Sequence, residues 1–344
     1  DFRNIRAAAL ELHGGLNVFH GRNAQGKTSL LEAVGLLARG RSFRTEDAPS
    51  MIRHGAASLL AGARAGDPPT SRLEVEIGAG SRTFRIDGRD VAPREYHGRL
   101  EVVVYSTDRL RAVRGTMRDR RQFLDRAAAA QWPSYRTELR TFERVLAQRN
   151  AALATRARDL DVWTERLVES GARLRTRRAA YAARLSETLR QGFRPDLESY
   201  EVRTEPAPRD ETESKDALRE ELRCHAPRER AAGRSLAGPQ RDRVLLLVDG
   251  HDAADGASSG QARSLLLALA LAALRVYREE TGHAAVALLD DLDSELDEER
   301  AQAACAEVAR QGQALVTTAH AGWAESLRAQ GRLFRVAGGE VRCA

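Results

Sequence analysis

Gly21-Arg22-Asn23-Ala24-Gln25-Gly26-Lys27-Thr28 is the stretch on which the reading of this chain turns. It has the form G-x-x-x-x-G-K-[ST], a glycine-rich loop whose backbone N–H groups cradle phosphates. Lys27 is one of only two lysines among 55 basic residues; the other is Lys215, and the remaining 53 are arginine. The chain has kept a compact ammonium at the one place where arginine's planar fork does not fit. Ahead of the loop, Leu16-Asn17-Val18-Phe19-His20 is an apolar stretch that reads as a strand. Behind it, Ser29-Leu30-Leu31-Glu32-Ala33-Val34-Gly35-Leu36-Leu37 carries apolar residues at helical spacing. Strand, loop and helix in that order wrap the amides of Gly21, Asn23, Ala24, Gln25 and Gly26 and the helix N-terminus around a phosphate. Lys27 then reaches the β and γ oxygens, Thr28 offers its hydroxyl to Mg²⁺, and Ser29 completes the nucleotide-binding set.

A second segment supplies the acids. Val286-Ala287-Leu288-Leu289-Asp290-Asp291 is an apolar strand ending in two carboxylates. In phosphate-loop ATPases such a strand is expected beside the loop strand, with its first acid on the metal and its second facing the attacking water. Asp290 is therefore the expected metal partner and Asp291 the expected general base. Ser258-Ser259-Gly260-Gln261 opens a long helix; alone it reads as an ordinary cap, and as a second anion site only in company. That company is the Asp-Asp strand some 30 residues on, then Ser294-Glu295-Leu296-Asp297, then His320 after Ala314-Leu315-Val316-Thr317-Thr318. The order of phosphate loop, signature, acid strand, D-loop and switch residue resembles the layout of ATP-binding-cassette ATPases. That layout implies that Ser258, Gly260 and Gln261 of one subunit contact the γ-phosphate of ATP held by another. His320 reads either as a group polarising the γ-phosphate or as a helix cap before Ala321-Gly322.

Composition narrows the class. The chain has 344 residues, 30% charged and 5% aromatic, which favours helices rich in Ala, Leu and Arg. No apolar run has the length of a membrane span; Leu265 to Leu274 is too short. The three cysteines, Cys224, Cys305 and Cys343, form no CxxC, so neither a zinc site nor a disulfide framework is expected, and a cytoplasmic location is. Net charge is +6, unevenly placed: residues 109–194 hold 21 Arg against 9 acidic residues, leaving the rest of the chain net negative. Such a lobe reads as a surface for a polyanion or as solvated helix faces in an Arg-biased proteome.

The expected fold class is α/β, an ABC-type P-loop ATPase head with an antiparallel β subdomain and a second, largely helical lobe. Residues 1–107 and 280–344 are assigned to the nucleotide lobe, and 108–279 to the Arg-rich helical lobe carrying the signature. Leu73-Glu74-Val75-Glu76-Ile77 and Thr83-Phe84-Arg85-Ile86 alternate as strands, and Asp87-Gly88 is a hairpin turn. Residues 134–157 and 162–191 read as two arms of a helical hairpin, and 203–216 as a polar connector. Asp1-Phe2-Arg3-Asn4 reads as an opening strand cut short, and residues 1–40 as strand, strand, phosphate loop and helix.

Taken together these motifs resemble the RecF family, relatives of SMC and Rad50 heads. The resemblance extends over nearly the whole chain. It rests on Asp1-Phe2-Arg3-Asn4, the phosphate loop with Leu30-Leu31-Glu32-Ala33, Gly40-Arg41-Ser42-Phe43-Arg44-Thr45, Arg120-Arg121-Gln122-Phe123-Leu124-Asp125, Ser235 through Asp242, and Leu289 through Asp297. Departures are Thr107-Asp108-Arg109-Leu110 for the usual Pro-Glu-Asp-Leu, Gln240 for a common His and Ser259 for a common Gln. The resemblance implies an ATP-dependent homodimer that clamps double-stranded DNA and its junctions with single strands. It further implies work with RecR and RecO to load RecA at gaps, and no membrane association. The rival readings are the ATP-binding subunit of a transporter or of a nuclease system. The basic lobe speaks against the first, and the lack of a further acidic cluster against the second.

Overall fold

Leu16, Val18 and Phe19 are apolar on both faces of their strand, which suits a position covered on both sides. In the computed structural model, which describes residues 1–65, 71–192, 198–292 and 296–344, this segment is the interior strand β1 (Leu16–His20). It belongs to a six-stranded sheet with β6 (Val102–Tyr105), β10 (Val286–Leu289), β11 (Ala314–Thr318), β12 (Gly331–Ala337) and β13 (Glu340–Cys343). The strand order is β13-β12-β1-β11-β10-β6. All pairs are parallel except the edge strand β13, which returns antiparallel on β12. Asn17 is fully buried in β1 and fully used. Its amide donates to His13 O at 2.8 Å, Gly15 O at 3.2 Å and Ala314 O at 3.3 Å, and its carbonyl accepts from His13 N at 2.7 Å.

The helix α1 (Lys27–Arg39) has apolar residues on two sides, and each meets a different sheet. Leu30 and Leu31 pack with Phe19, Leu288, Leu315 and Phe334 of the parallel sheet. Leu36 and Leu37 pack with Leu59, Val75 and Phe84 of a separate antiparallel sheet. Four buried leucines at about 2 kcal/mol each hold the helix, and hence the loop before it, in place. The antiparallel sheet runs in chain order through β2 (Ser58–Ala65), β3 (Ser71–Gly78), β4 (Ser81–Ile86) and β5 (Arg89–Val91). Its last hairpin turns at Asp87-Gly88, both with positive φ, as the sequence predicts. Residues 1–15 form no strand among themselves: Phe2 makes only isolated bridges, to Ile5 and Ile52.

The chain divides into two compact units, residues 1–110 with 266–344, and residues 111–265. The second contains α2 (Met117–Gln131), α3 (Pro133–Thr155), α4 (Leu160–Gln191) and α5 (Glu211–Ala232). The helices α3 and α4 are the two arms that the periodicity predicts, about 34 Å and 48 Å long. A three-stranded sheet, β7 (Tyr200–Glu205), β8 (Arg243–Val248) and β9 (His251–Asp252), packs with them. The strand β7 takes Arg203-Thr204-Glu205 out of the expected connector. Tyr200, Val202 and Thr204 point inward while Glu201 and Glu205 are only half-buried and Arg203 is exposed, an alternation masked by its polar outer face.

This unit also changes the meaning of the Arg-rich segment. Arg120, Arg149, Arg175 and Arg178 are buried. Arg120 grips Asp252 at 2.7 and 2.9 Å, Arg149 meets Glu229 at 2.7 Å, Arg175 bridges Asp242 and Glu221, and Arg178 takes Asp125 at 2.8 and 3.0 Å. Four of these five acids come from residues 221–252, outside the basic segment. With its own acids counted, the unit carries a net charge of +7, against +12 for residues 109–194 alone. Several of the arginines are therefore internal struts, costly to break singly.

Candidate functional site

The glycine loop runs from the end of β1 into α1, and its backbone is one that side chains resist. Gly21 has φ 154° and lies against β12; a Cβ there would sit 2.2 Å from Val336 O. Gly26 caps α1 with φ 111°, and a Cβ would meet the Asn4 side chain at 2.9 Å. Ala24 is also left-handed, with φ 63°. Gln25 pins the loop to the turn between β12 and β13, accepting from Gly338 N at 2.6 Å on its side chain and from Gly339 N at 3.1 Å on its carbonyl. Asn23 O accepts from the Gln25 amide at 3.3 Å. Ser29 is buried and lies 3.4 Å from Asn4 Oδ1. Lys27 is buried, its ammonium held inside the loop by Gly21 O at 2.8 Å and Arg22 O at 3.2 Å.

The acid strand meets the loop through hydroxyls. Thr28 Oγ1 donates to Asp290 Oδ1 at 3.0 Å, and Thr317 Oγ1 donates to the same oxygen at 2.7 Å. Asp290 N donates to Tyr105 O at 2.9 Å, and Asp291 N to Thr317 Oγ1 at 2.8 Å. The expectation that β10 neighbours β1 is corrected: β11 lies between them and carries the hydroxyl that links the acid pair. Thr317 is thus a site residue that sequence reading named only as part of a strand. Two threonines ending one strand gave no sign of which would turn toward Asp290.

Burial pushes the Asp290 carboxyl above its ordinary value, and the neighbouring Asp291 adds to this against the hydrogen bonds from Thr317 and Thr28. A buried carboxylate beside a hydroxyl offers a hard divalent cation two oxygen ligands and relief from desolvation. Asp291 begins the turn after β10 with φ 47°, a conformation Asp tolerates better than most residues. His320 is exposed at the start of a short helix, Ala321–Ser326. Its N–H donates to Thr318 Oγ1 at 2.8 Å, and it stands at the N-cap of that helix, with its side chain making no cap bond.

Glu32 is a further residue whose place the sequence left unread. It is fully buried on α1, and Arg3 clasps it with Nε at 3.0 Å and Nη2 at 2.7 Å. Ser42 also donates to it, and Arg44 approaches at 3.5 Å while reaching toward Asp108 at 3.7 Å. Asp1 to Asn4 and Gly40 to Thr45, distant in sequence, are thereby fastened to the helix that carries Lys27 and Thr28.

Ser258, Gly260 and Gln261 lie in the other unit, at the start of α6 (Ser259–Thr281). Ser258 Oγ accepts from Gln261 N at 3.1 Å, and Gln261 Oε1 accepts from Ser258 N at 2.8 Å, a reciprocal capping box. Ser258 and Gly260 are exposed, and nothing but Ser258 Oγ stands near a Cβ position at Gly260. Leu296 and Asp297 are described, Asp297 capping α7 (Glu298–Gln311); Ser294 and Glu295 lie outside the described residues. Among the described residues no helix is long and apolar enough to cross a membrane.

The family model described as RecF/RecN/SMC N terminal domain matches residues 1–341. The DNA replication and repair protein RecF of Symbiobacterium thermophilum is 37% identical, over 99% of this chain and 95% of that protein. RecF of Geotalea daltonii is 33% identical, over 87% and 85%. A solved structure of the recombination mediator protein RecF with ATP, in the RecFOR pathway, superposes with TM-score 0.88 at 25% identity, covering 100% of this chain and 96% of that one. The Smc head domain of Pyrococcus furiosus, with TM-score 0.58 and 12% identity over 100% and 93%, shares the fold.

Proposed function

The chain belongs to the RecF family, and from that premise we propose that it is an ATP-dependent recombination mediator that acts on DNA during replication and repair. The observation that carries the reading is the linkage of Thr28, Asp290 and Thr317 beside a lysine enclosed by its own loop. ATP would lie with its phosphates against the amides of residues 21–29, Lys27 neutralising the β and γ oxygens. Thr28 and Asp290 would hold Mg²⁺, which supplies charge neutralisation at the phosphates. Asp291 would orient the attacking water, and His320 would polarise the γ-phosphate.

In this reading Ser258, Gly260 and Gln261 of a second copy close over the same triphosphate, so ATP joins two heads. The homodimer grips double-stranded DNA and its junctions with single strands. Acting with RecR and RecO, it helps to load RecA at gaps. Asp291 is one methylene shorter than the Glu usual at this position of the wider superfamily, so the expected turnover is slow and raised by DNA. ATP binding closes the dimer and hydrolysis reopens it.

Light scattering with and without ATP and Mg²⁺, repeated with a short duplex, tests the proposal. The expected result is a doubling of mass with ATP and retention of the duplex by the doubled species. A protein that binds ATP yet keeps monomer mass at every concentration would exclude the shared-site reading.

A further inference from the structure

Some surface arginines in this protein are paired within their own helix. Arg223 pairs with Glu220, Arg275 with Glu279, Arg310 with Glu307 and Arg328 with Glu325, each three or four residues away. The helix α3 places three unpaired arginines at a regular spacing. Arg136, Arg140 and Arg144 make no hydrogen bond or ion pair with any described residue. The two acids near them do not serve: Glu138 meets Arg177 of α4 at 3.3 Å, and Glu143 lies beyond 4 Å of every described arginine.

Spacing of four residues advances each arginine about 6 Å along the helix and about 40° around it, so the three form a ribbon about 12 Å long. Arg140 and Arg144 are exposed and Arg136 half-buried, and the same face continues with exposed Thr137, Glu143, Ala147, Gln148 and Ala151. Like charges at this spacing oppose one another by about 0.2–0.5 kcal/mol per pair. Arg136, in the first turn, also opposes the helix dipole. With Glu143 counted the face keeps a net charge of +2, which is favourable against a row of negative charge.

We infer that the exposed face of α3 is a phosphate track for double-helical DNA, with Arg136, Arg140 and Arg144 on neighbouring phosphates of the backbone. This rests on the DNA-binding reading above and gives it a surface. One strand presents a phosphate about every 3.4 Å of axis, so a ribbon of about 12 Å spans about three to four of them. Thr137, Ala147 and Ala151 are small and neutral and let a backbone approach closely; Glu143 is the one acid on this face. The face offers no aromatic or large aliphatic anchor of the kind an acidic protein partner would need; the exposed large apolar residues among those described are Leu60 and Val162, both elsewhere.

The test is duplex binding by fluorescence anisotropy with ATP and Mg²⁺ between about 50 and 200 mM salt. It compares the unaltered protein with Arg136→Gln/Arg140→Gln/Arg144→Gln and with the corresponding triple Lys variant. For the Gln variant the slope of log K against log salt should shrink by about 2.7, with ATP-dependent mass unchanged; the Lys variant should keep the slope. Single Gln variants, each lowering it by about 0.9, give the same answer if the triple variant does not fold. An unaltered slope in the Gln variants, including one accompanied by loss of an acidic protein partner, overturns the inference while leaving the DNA-binding reading standing. Failure of the unaltered protein to bind duplex overturns both.

Discussion

Replacing Glu32 with Gln removes one negative charge and almost no volume from the centre of the nucleotide unit. Glu32 is fully buried, and its guanidinium partners differ: the Arg3 side chain is 23% exposed and Arg44 38%. Breaking a fully buried pair costs about 3–5 kcal/mol, whereas exposed pairs contribute about 0–1. The two-pronged Arg3 contact, largely buried, should cost about 2 kcal/mol, and the looser Arg44 contact less than about 1. The total of about 2–3 kcal/mol corresponds to roughly 5–10 °C in Tm for a unit of this size. Calorimetry on Glu32→Gln, Arg3→Gln and the double variant should give a coupling of about 1.5 kcal/mol or more, because the second change finds its partner already gone. ATP affinity should fall in parallel, since α1 carries Lys27 and Thr28. A Tm within about 1 °C of the unaltered protein, with additive single effects, would refute the claim that Glu32 joins the two flanking segments to the helix.

Asp290→Asn should stabilise the nucleotide-free protein at neutral pH and abolish the Mg²⁺-dependent part of ATP binding by calorimetric titration. The folded pKa of Asp290 is raised above the unfolded value, so the penalty of a buried charge is present at neutral pH and fades as pH falls through the raised value. The stability difference between the unaltered protein and the Asp290→Asn variant should shrink over that fall, and ATP·Mg²⁺ binding by the unaltered protein should weaken over the same range. Ser258→Ala loses the cap, at about 1 kcal/mol, as well as the expected phosphate contact, whereas Ser258→Asp keeps the cap and places a negative charge at the anion site. Both should bind ATP as monomers, and the Asp form should fail to dimerise in light scattering without loss of Tm. Asp291→Asn should fold normally, because Asn accepts the left-handed backbone at this position, and should hold the ATP dimer for many times longer on sizing.

The site was legible in unequal parts. The shape of the loop from Gly21 to Ser29 could be read from the sequence because it is local: strand, turn and helix N-terminus lie within some fifteen residues. Asp290 and Asp291 were legible as a strand end. Thr317 and Glu32 were not, because a threonine at the end of a strand and a glutamate on a helix have many ordinary roles. What assigns them is a partner 27 or 29 residues away, Asp290 for one and Arg3 for the other.

Sequence alone determined the phosphate loop, the acid pair, the two helical arms and the turn at Asp87-Gly88, all set by short-range spacing and by the backbone preferences of a few residues. Tertiary structure alone decided that β11 separates β1 from β10, that β7 joins a second sheet, and which arginines face inward. The charge of an arginine is written in its codon, but whether that charge is free depends on acids brought to it by folding. Arg149 and Arg144 sit on one helix; Glu229 meets the first, and no described residue meets the second.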